Sequence, residues 1–449
     1  MKNKCFLKIA GVELAALTLT AGQVSAAAKA PPVSKPNIIF ILSDDVGLGN
    51  IGSCGGAFKT PNIDALAKTG MRFELCYSAP LCGPSRCQAL TGRYPFRTGL
   101  ISNQSETAID PSGEVMIQNV MKKAGYVTAC VGKWGQMSYG PAEWGFDESF
   151  IFSGGERSRY WSDSKSSYVI NGKRATLPAG SYFPDASHDF ITDFITRHKD
   201  QPFFVYYPMS HSHGPILRTP DSTASNGPDQ LYTDNIEYMD KLVGRLMSEL
   251  DRLGLREKTV VIFTGDNGTA RMGVELATVD GKPISGQKGT MLEGGSRVPL
   301  IVNWSGTTPA GQVKKDLIDF SDFFPTFAEL GGAELPKGVT IDGHSFAPQI
   351  LGKKGTPRDW IYVELNGKSY ARNAGFKLTN RGELFDMSDA PFKEILIEAN
   401  TTNAAAASAR AVLQKVLDDH QAATASANVG KKKQKKAAKK KAARKSSDL

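Results

Sequence analysis

Apolar residues fall into two rhythms along this chain. Continuous runs make the first. "NIIFIL" (37–42) is apolar from its second residue on and reads as a strand buried on both faces. "YVTACVG" (126–132), "PFFVYY" (202–207), "TVVIFTG" (259–265) and "VPLIVNW" (298–304) read the same way. Helical spacing makes the second. Thr60-Pro61 opens a helix through Ala67, with Thr60 as its cap and Pro61 in the first position. "EVMIQNVMKKAGY" (114–126) predicts a helix ending at Gly125. Within 233–254, Ile236, Met239, Leu242, Val243, Leu246 and Leu250 keep one apolar stripe. Strands alternating with helices predict an α/β fold, a mostly parallel central sheet sandwiched by helices.

The rhythm shortens near residue 355. "WIYVEL" (360–365), "YARNAGFKLT" (370–379) and "GELFDM" (382–387) are brief segments separated by Gly and Asn, the pattern of a small antiparallel sheet. An Ala-rich helix over 403–420 packs beside it. This divides the chain into an α/β domain at 36–352 and a smaller α+β part at 353–422. Residues 423–449 read as a linker and a disordered Lys-rich tail.

Charge adds less than it promises. The 449 residues carry a formal +9, but ten Lys and Arg sit in 431–445. Removing those ten and Asp448 from 54 basic and 45 acidic residues leaves 44 of each sign in 1–430. The folded part is neutral, so the basic balance says nothing about its active site. The tail is either a solubilising end or a contact for polyanions or the cell envelope, held by salt-sensitive charge pairing.

The N-terminus has the form of a secretory signal. Lys2, Lys4 and Lys8 precede an apolar part from Ile9 to Ala21, interrupted by Glu13, and "VSA" (24–26) is a small-residue cleavage site. Residues 1–26 are expected to be a signal peptide, and the protein to be exported, to the periplasm or beyond. No other run approaches the ~20 apolar residues of a membrane span. Five cysteines follow: Cys54, Cys76, Cys82, Cys87 and Cys130. Their spacing fits no zinc pattern. An odd number in an exported chain suggests that one has its own task, although buried thiols are common.

Two strands end in acidic pairs. "NIIFIL" leads to Asp44-Asp45 and "TVVIFTG" to Asp266-Asn267. Ligands bind beyond the carboxyl ends of strands in open parallel sheets, and oxygen-only donors suit hard cations such as Ca²⁺ or Mg²⁺. Either pair alone is also what caps an ordinary turn. Cys82 stands just before Pro84, which fits the start of a short helix to Leu90. A helix N-terminus favours anions, and Arg86, four residues on, shares the face of Cys82.

"CGPSRCQALTGR" (82–93) resembles the signature of the type I sulfatases, C-x-P-S-R followed by L-T-G-R. Further blocks of that family stand in order: "FILSDDVG" (40–47), "GKW" (132–134) with Pro141 and Gly145-Phe146-Asp147, "SHSHGP" (210–215), "FTGDNG" (263–268), "GQKGTMLEGGSRVP" (286–299), "SDFFPT" (321–326) and "DGHSFAP" (342–348). Together they span about residues 36–390. The resemblance implies an alkaline-phosphatase-like fold and the hydrolysis of sulfate esters. It implies that a formylglycine-generating or anaerobic sulfatase-maturating enzyme converts Cys82 to formylglycine. It further implies that Asp44, Asp45, Asp266 and Asn267 bind one Ca²⁺ together with modified Cys82, and that Arg86, Lys133, His213 and Lys288 surround the sulfate.

A hydrated aldehyde explains why cysteine alone is insufficient: one hydroxyl attacks sulfur, and the other drives expulsion of sulfate. The chain departs from the family at Gly135, where "GKWH" is common and the histidine is thought to take the proton for that expulsion. Gln136, His211 and His188 are candidate substitutes. Slower release of sulfate, or a sulfated-glycan-binding relative with weak activity, are the other readings. A sulfated carbohydrate is the expected substrate, and a phosphonate or phosphate ester the alternative on the same scaffold.

Overall fold

The computed structural model describes residues 35–105, 109–135, 137–153 and 156–447. The expected signal peptide and Gln136 lie outside the described residues.

Ten strands make the large sheet among these residues: β1 (Asn37–Ser43), β2 (Met71–Tyr77), β3 (Val127–Gly132), β4 (Glu148–Phe152), β5 (Tyr168–Ile170), β6 (Lys173–Ala175), β7 (Phe203–Tyr207), β8 (Thr259–Gly265), β9 (Arg297–Asn303) and β10 (Gln312–Asp319). Their order is β10-β2-β9-β8-β1-β7-β3-β4-β5-β6. The five central strands from β8 to β4 run parallel. The strand read from "VPLIVNW", β9, runs antiparallel to both neighbours, and β5 and β6 are antiparallel as well. The sheet is therefore mixed outside its parallel centre.

The central strands explain their own sequence. Ile38, Phe40 and Leu42 of β1 enter one core, and Ile39 and Ile41 enter the other. A strand covered on both faces needs apolar residues at every position. The helix Pro228–Arg252 supplies all six residues of its predicted stripe to the second core. The helix Phe323–Leu330 covers the first with Phe323, Phe324 and Phe327. Each such side chain stabilises the fold by about 1.5–3 kcal/mol.

Three boundaries differ from expectation. The helix read from residue 114 is Ile117–Lys123, because the Met116 N–H is taken by Asn119 Oδ1 at 3.3 Å. Thr60 does precede the helix Pro61–Thr69, but its hydroxyl accepts from Gly52 N and donates to Asp64 instead of capping. The helix after Leu81 begins at Cys82, which puts Pro84 in its third position rather than its first.

The antiparallel sheet follows as β11 (Ile361–Leu365), β12 (Lys368–Arg372), β13 (Phe376–Thr379), β14 (Leu384–Asp386) and β15 (Ile395–Ile397), paired in that order. The last of these strands has no counterpart in the sequence reading. The closing helix is Ala404–Ser447, so it runs through the stretch expected to be linker and disordered tail. Ala, Lys, Arg and Gln are strong helix formers, and Gly430 alone does not stop them. Ala406, Leu413, Val416 and Leu417 pack with Tyr362, Leu378 and Leu384, and also with Tyr94 and Phe96 from the first part of the chain. The described residues form one unit by their contacts.

Candidate active site

Register brings the two acidic pairs together. Ser43 of β1 lies opposite Gly265 of β8, so the residues after each strand meet. Asp266 N donates to Ser43 O at 2.8 Å, and Asp45 N donates to Asp266 Oδ1 at 3.0 Å. Gly265 permits this approach, since a Cβ there would stand 1.8 Å from Val46 O. Asn267 Nδ2 donates to Asp45 Oδ1 at 2.8 Å.

The helix Cys82–Thr91 brings the cysteine and arginine to the same place. Arg86, one turn beyond Cys82, donates from Nε and Nη2 to Asp266 Oδ2 at 2.9 and 2.7 Å, and from Nη1 to Lys133 O at 3.0 Å. Its side chain and that of Asp266 are fully buried. Lys133 Nζ donates to Asp44 Oδ2 at 2.6 Å, and Lys288 Nζ reaches Asp45 Oδ1 at 2.5 Å. Donor atoms of Asp44, Cys82 and Asp266 lie within 4.8 Å of one another, as do those of Asp44, Asp45 and His213. All nine residues picked out by sequence thus converge on one cluster.

The electrostatics follow from burial and crowding. Burial alone would raise the pKa of Asp44, but Lys133, His213, Arg86 and Lys288 outweigh it and hold it well below the usual range. Burial and the neighbouring Asp44 raise Asp45. Burial pushes Asp266 up to about 6 against the pull of Arg86. Burial also lowers His213 to about 4, aided by Lys133, Lys288 and Arg159 and opposed by Asp44.

A hard cation fits these residues. Asp44 Oδ1 and Asn267 Oδ1 are buried and accept no hydrogen bond. Such orphans are uncommon in a folded protein and call for a partner. Both are oxygens beside two further buried carboxylates, the donor set of Ca²⁺ or Mg²⁺.

Two contacts had no signal in the sequence. Asn103, from the loop after the Cys82 helix, accepts from Gly83 N at 3.0 Å through Oδ1 and donates from Nδ2 to Cys82 Sγ at 3.4 Å. The Gly83 N–H can only donate, which fixes the amide so that its NH₂ faces residue 82. Arg159 reaches His213 Nδ1 from Nη1 at 2.7 Å and donates from Nη2 to Gly214 O at 2.8 Å.

The histidines proposed in place of Gly135 lie elsewhere. His211 is buried between Tyr182 and Tyr238, and neither ring nitrogen has a hydrogen-bond partner. His188 lies in a separate cavity with Arg245 and Glu249. Gly135 itself has φ +94°, a conformation that favours glycine, and a Cβ there would stand 3.1 Å from Arg86 Cδ.

The Sulfatase family profile matches residues 36–333. An N-acetylgalactosamine-6-sulfatase of Canis lupus familiaris is 33% identical over 377 residues, covering 77% of this chain and 71% of its own. The crystal structure of Ps i-CgsB in complex with k-i-k-neocarrahexaose superposes with a TM-score of 0.74 at 26% identity, over 87% of this chain and 93% of that one. PsFucS1 sulfatase from Pseudoalteromonas sp. gives 0.71 at 27%, over 88% and 91%. With its two-sheet architecture and its clustered site, the chain belongs to the sulfatase family of the alkaline-phosphatase-like superfamily and is a sulfuric ester hydrolase.

Proposed function

We propose that the protein is an exported hydrolase of sulfate esters on carbohydrates, with Cys82 matured to formylglycine and one Ca²⁺ held by Asp44, Asp45, Asp266, Asn267 and residue 82. The observation that carries this reading is Cys82 at a helix N-terminus, within 4.8 Å of Asp44 and Asp266 and beside two buried oxygens that accept no hydrogen bond. An N-acetylgalactosamine-6-sulfatase among the relatives and a neocarrahexaose complex among the similar structures support a carbohydrate substrate. The apolar run after Lys2, Lys4 and Lys8 supports export.

The chain's own groups have separable tasks. Lys133, Lys288 and Arg86 gather positive charge around the bound sulfate, which favours an anion in a site from which water is largely excluded. His213 offers Nε2 to an ester oxygen. Asn103 offers its NH₂ to whatever oxygen replaces Sγ. A hydrated aldehyde at residue 82 supplies two hydroxyls on one carbon, and Ca²⁺ supplies charge neutralisation beside them. The helical Lys-rich end serves as a contact for polyanionic glycan or envelope. Truncation after Gly430 should lower glycan retention at low salt and leave hydrolysis intact.

Mass spectrometry of the Cys82 peptide, after co-expression with a maturating enzyme, tests the reading. Conversion of the thiol, with sulfate released from a panel of sulfated sugars and little turnover of a phosphonate ester, is the expected result. An unmodified cysteine, or phosphonate turnover without sulfate release, overturns it.

A further inference from the structure

We infer that a cavity beside the catalytic cluster is a subsite for a second sugar ring, one carrying an anionic substituent, so that the preferred substrate is a sulfated oligosaccharide. This rests on the carbohydrate-sulfatase reading and extends it. The cavity measures about 510 Å³, within the ~300–1,000 Å³ of ordinary ligand sites. It lies where β3 and β4 end, against the β5–β6 hairpin, and is lined by Lys133 and Gly135 as well as by Tyr139, Glu143 and Arg174. Lys133 and Gly135 also border the catalytic cluster. The ammonium of Lys133 bonds Asp44, and Gly135 places no side chain against Arg86.

Tyr139 is the feature that calls for an occupant. It lines this cavity with 59% of the residue exposed. Its φ of +64° is rare for a bulky residue and is strained. Two buried indoles hold it there: Trp134 Nε1 donates to Tyr139 O, and Trp144 Nε1 donates to Ser138 O, each at 2.7 Å. Glu143 Oε2 accepts from Gly140 N at 3.1 Å and fixes the next residue of the same turn. The backbone is thus constrained from beneath while the ring is left uncovered. An aromatic face presented in a cavity that also holds charged side chains suits the apolar C–H face of a pyranose.

Arg174, on β6, defines the substituent. Its guanidinium makes no ion pair or hydrogen bond among the described residues, although it lines the cavity. A planar donor fork recognises a carboxylate or a sulfate in the same bidentate way. A uronic acid and a second sulfated sugar share that chemistry.

The test compares substrates on the matured enzyme. Tyr139→Gly removes the ring and suits the φ of +64°, so the fold tolerates it. On a sulfated tetrasaccharide its KM should rise about tenfold with kcat unchanged, as expected for loss of a ring contact. On the sulfated monosaccharide KM should not move. Arg174→Gln should raise KM for tetrasaccharides bearing a uronate or a second sulfate, and leave a tetrasaccharide with a neutral second ring unchanged. The size of the effect on each anionic substrate separates carboxylate from sulfate. Equal effects on the monosaccharide and the tetrasaccharide, or none, overturn the inference. Calorimetry on Cys82→Ala keeps the result independent of turnover. The tetrasaccharide should bind it about tenfold more tightly than it binds Cys82→Ala/Tyr139→Gly, and equal affinities also overturn the subsite. A wild type that binds this ligand but releases no sulfate from any sugar removes the enzymatic reading and leaves the subsite standing.

Discussion

Arg159 Nη1 donates to His213 Nδ1 at 2.7 Å, and this one bond sets the tautomer of the site's only histidine among the described residues. A guanidinium has donors and no acceptor, so Nδ1 must receive the bond. The Gly214 carbonyl, 2.8 Å from Nδ1, is the second acceptor of the same fork and receives Nη2. A neutral ring then keeps its proton on Nε2. In the proposed reaction His213 would meet substrate as a hydrogen-bond donor whose second nitrogen is already engaged.

Arg159→Met should therefore lose more on a poor leaving group than on a good one. We expect hydrolysis of a sugar sulfate to fall about 10–100-fold, in line with loss of an orienting partner, and that of an activated aryl sulfate to fall much less. Nitrogen-15 NMR of the ring should show the Nε2–H form in the wild type and a mixture in the variant. Equal losses on both substrates would indicate a purely structural role.

Chelation should cost stability as well as activity. Removing a cation leaves Asp44, Asp45 and Asp266 crowded in a buried cluster, where burial and mutual repulsion already raise two of them. At a hundredfold excess over Kd, Ca²⁺ should stabilise the fold by about 2.7 kcal/mol. The melting temperature should rise with Ca²⁺ after treatment with a chelator. The rise should shrink in Asn267→Ala, which lacks one of the unpartnered oxygens.

Glu364 predicts a pH effect remote from the catalytic cluster. Burial pushes its carboxyl up to about 7, although Phe96 N–H, 2.5 Å from Oε1, pulls the other way. An acid whose pKa is raised on folding holds its proton more tightly in the folded state. Its contribution is present below the unfolded pKa of about 4.3 and is lost as pH rises through 7. Glu364→Gln keeps an acceptor for Phe96 and removes the charge. The variant should gain up to about 3 kcal/mol over wild type at pH 8 and nothing at pH 4. Denaturant titrations at the two pH values measure this, and equal shifts at both would refute it.

Gly135 predicts the kinetic form of turnover. The cations proposed to surround the sulfate are clustered together, while position 135 offers no base and the two histidines considered as substitutes sit elsewhere. Release of sulfate should be the slow step. Rapid-quench experiments should show a burst of free alcohol, equal to the formylglycine content, before a slower steady state. A linear time course from the first turnover would place the slow step earlier.

The central sheet and the cluster were legible because their signals are local. β1 and β8 are apolar at every buried position, and each carries its acidic pair directly after the strand. Cys82 and Arg86 share one helical turn. The residues that escaped notice act across loops. Arg159 precedes His213 by 54 positions, Asn103 follows Cys82 by 21, and neither spacing has a period. The reversal of β9 was equally hidden, since an apolar run does not record its direction. The closing helix was expected over 403–420, but its continuation beyond was not: a run of like charges argued against order there, while the helix propensity of Ala and Lys argued for it.

Cys82 is wholly buried, and the stretch just downstream of it, at Tyr94 and Phe96, lies under Leu413 and Val416 of the closing helix. If Cys82 is matured as proposed, a modifying enzyme would have to reach the thiol before the fold closes over it. The yield of active protein would then depend on the order in which the chain folds, and not on the finished site alone.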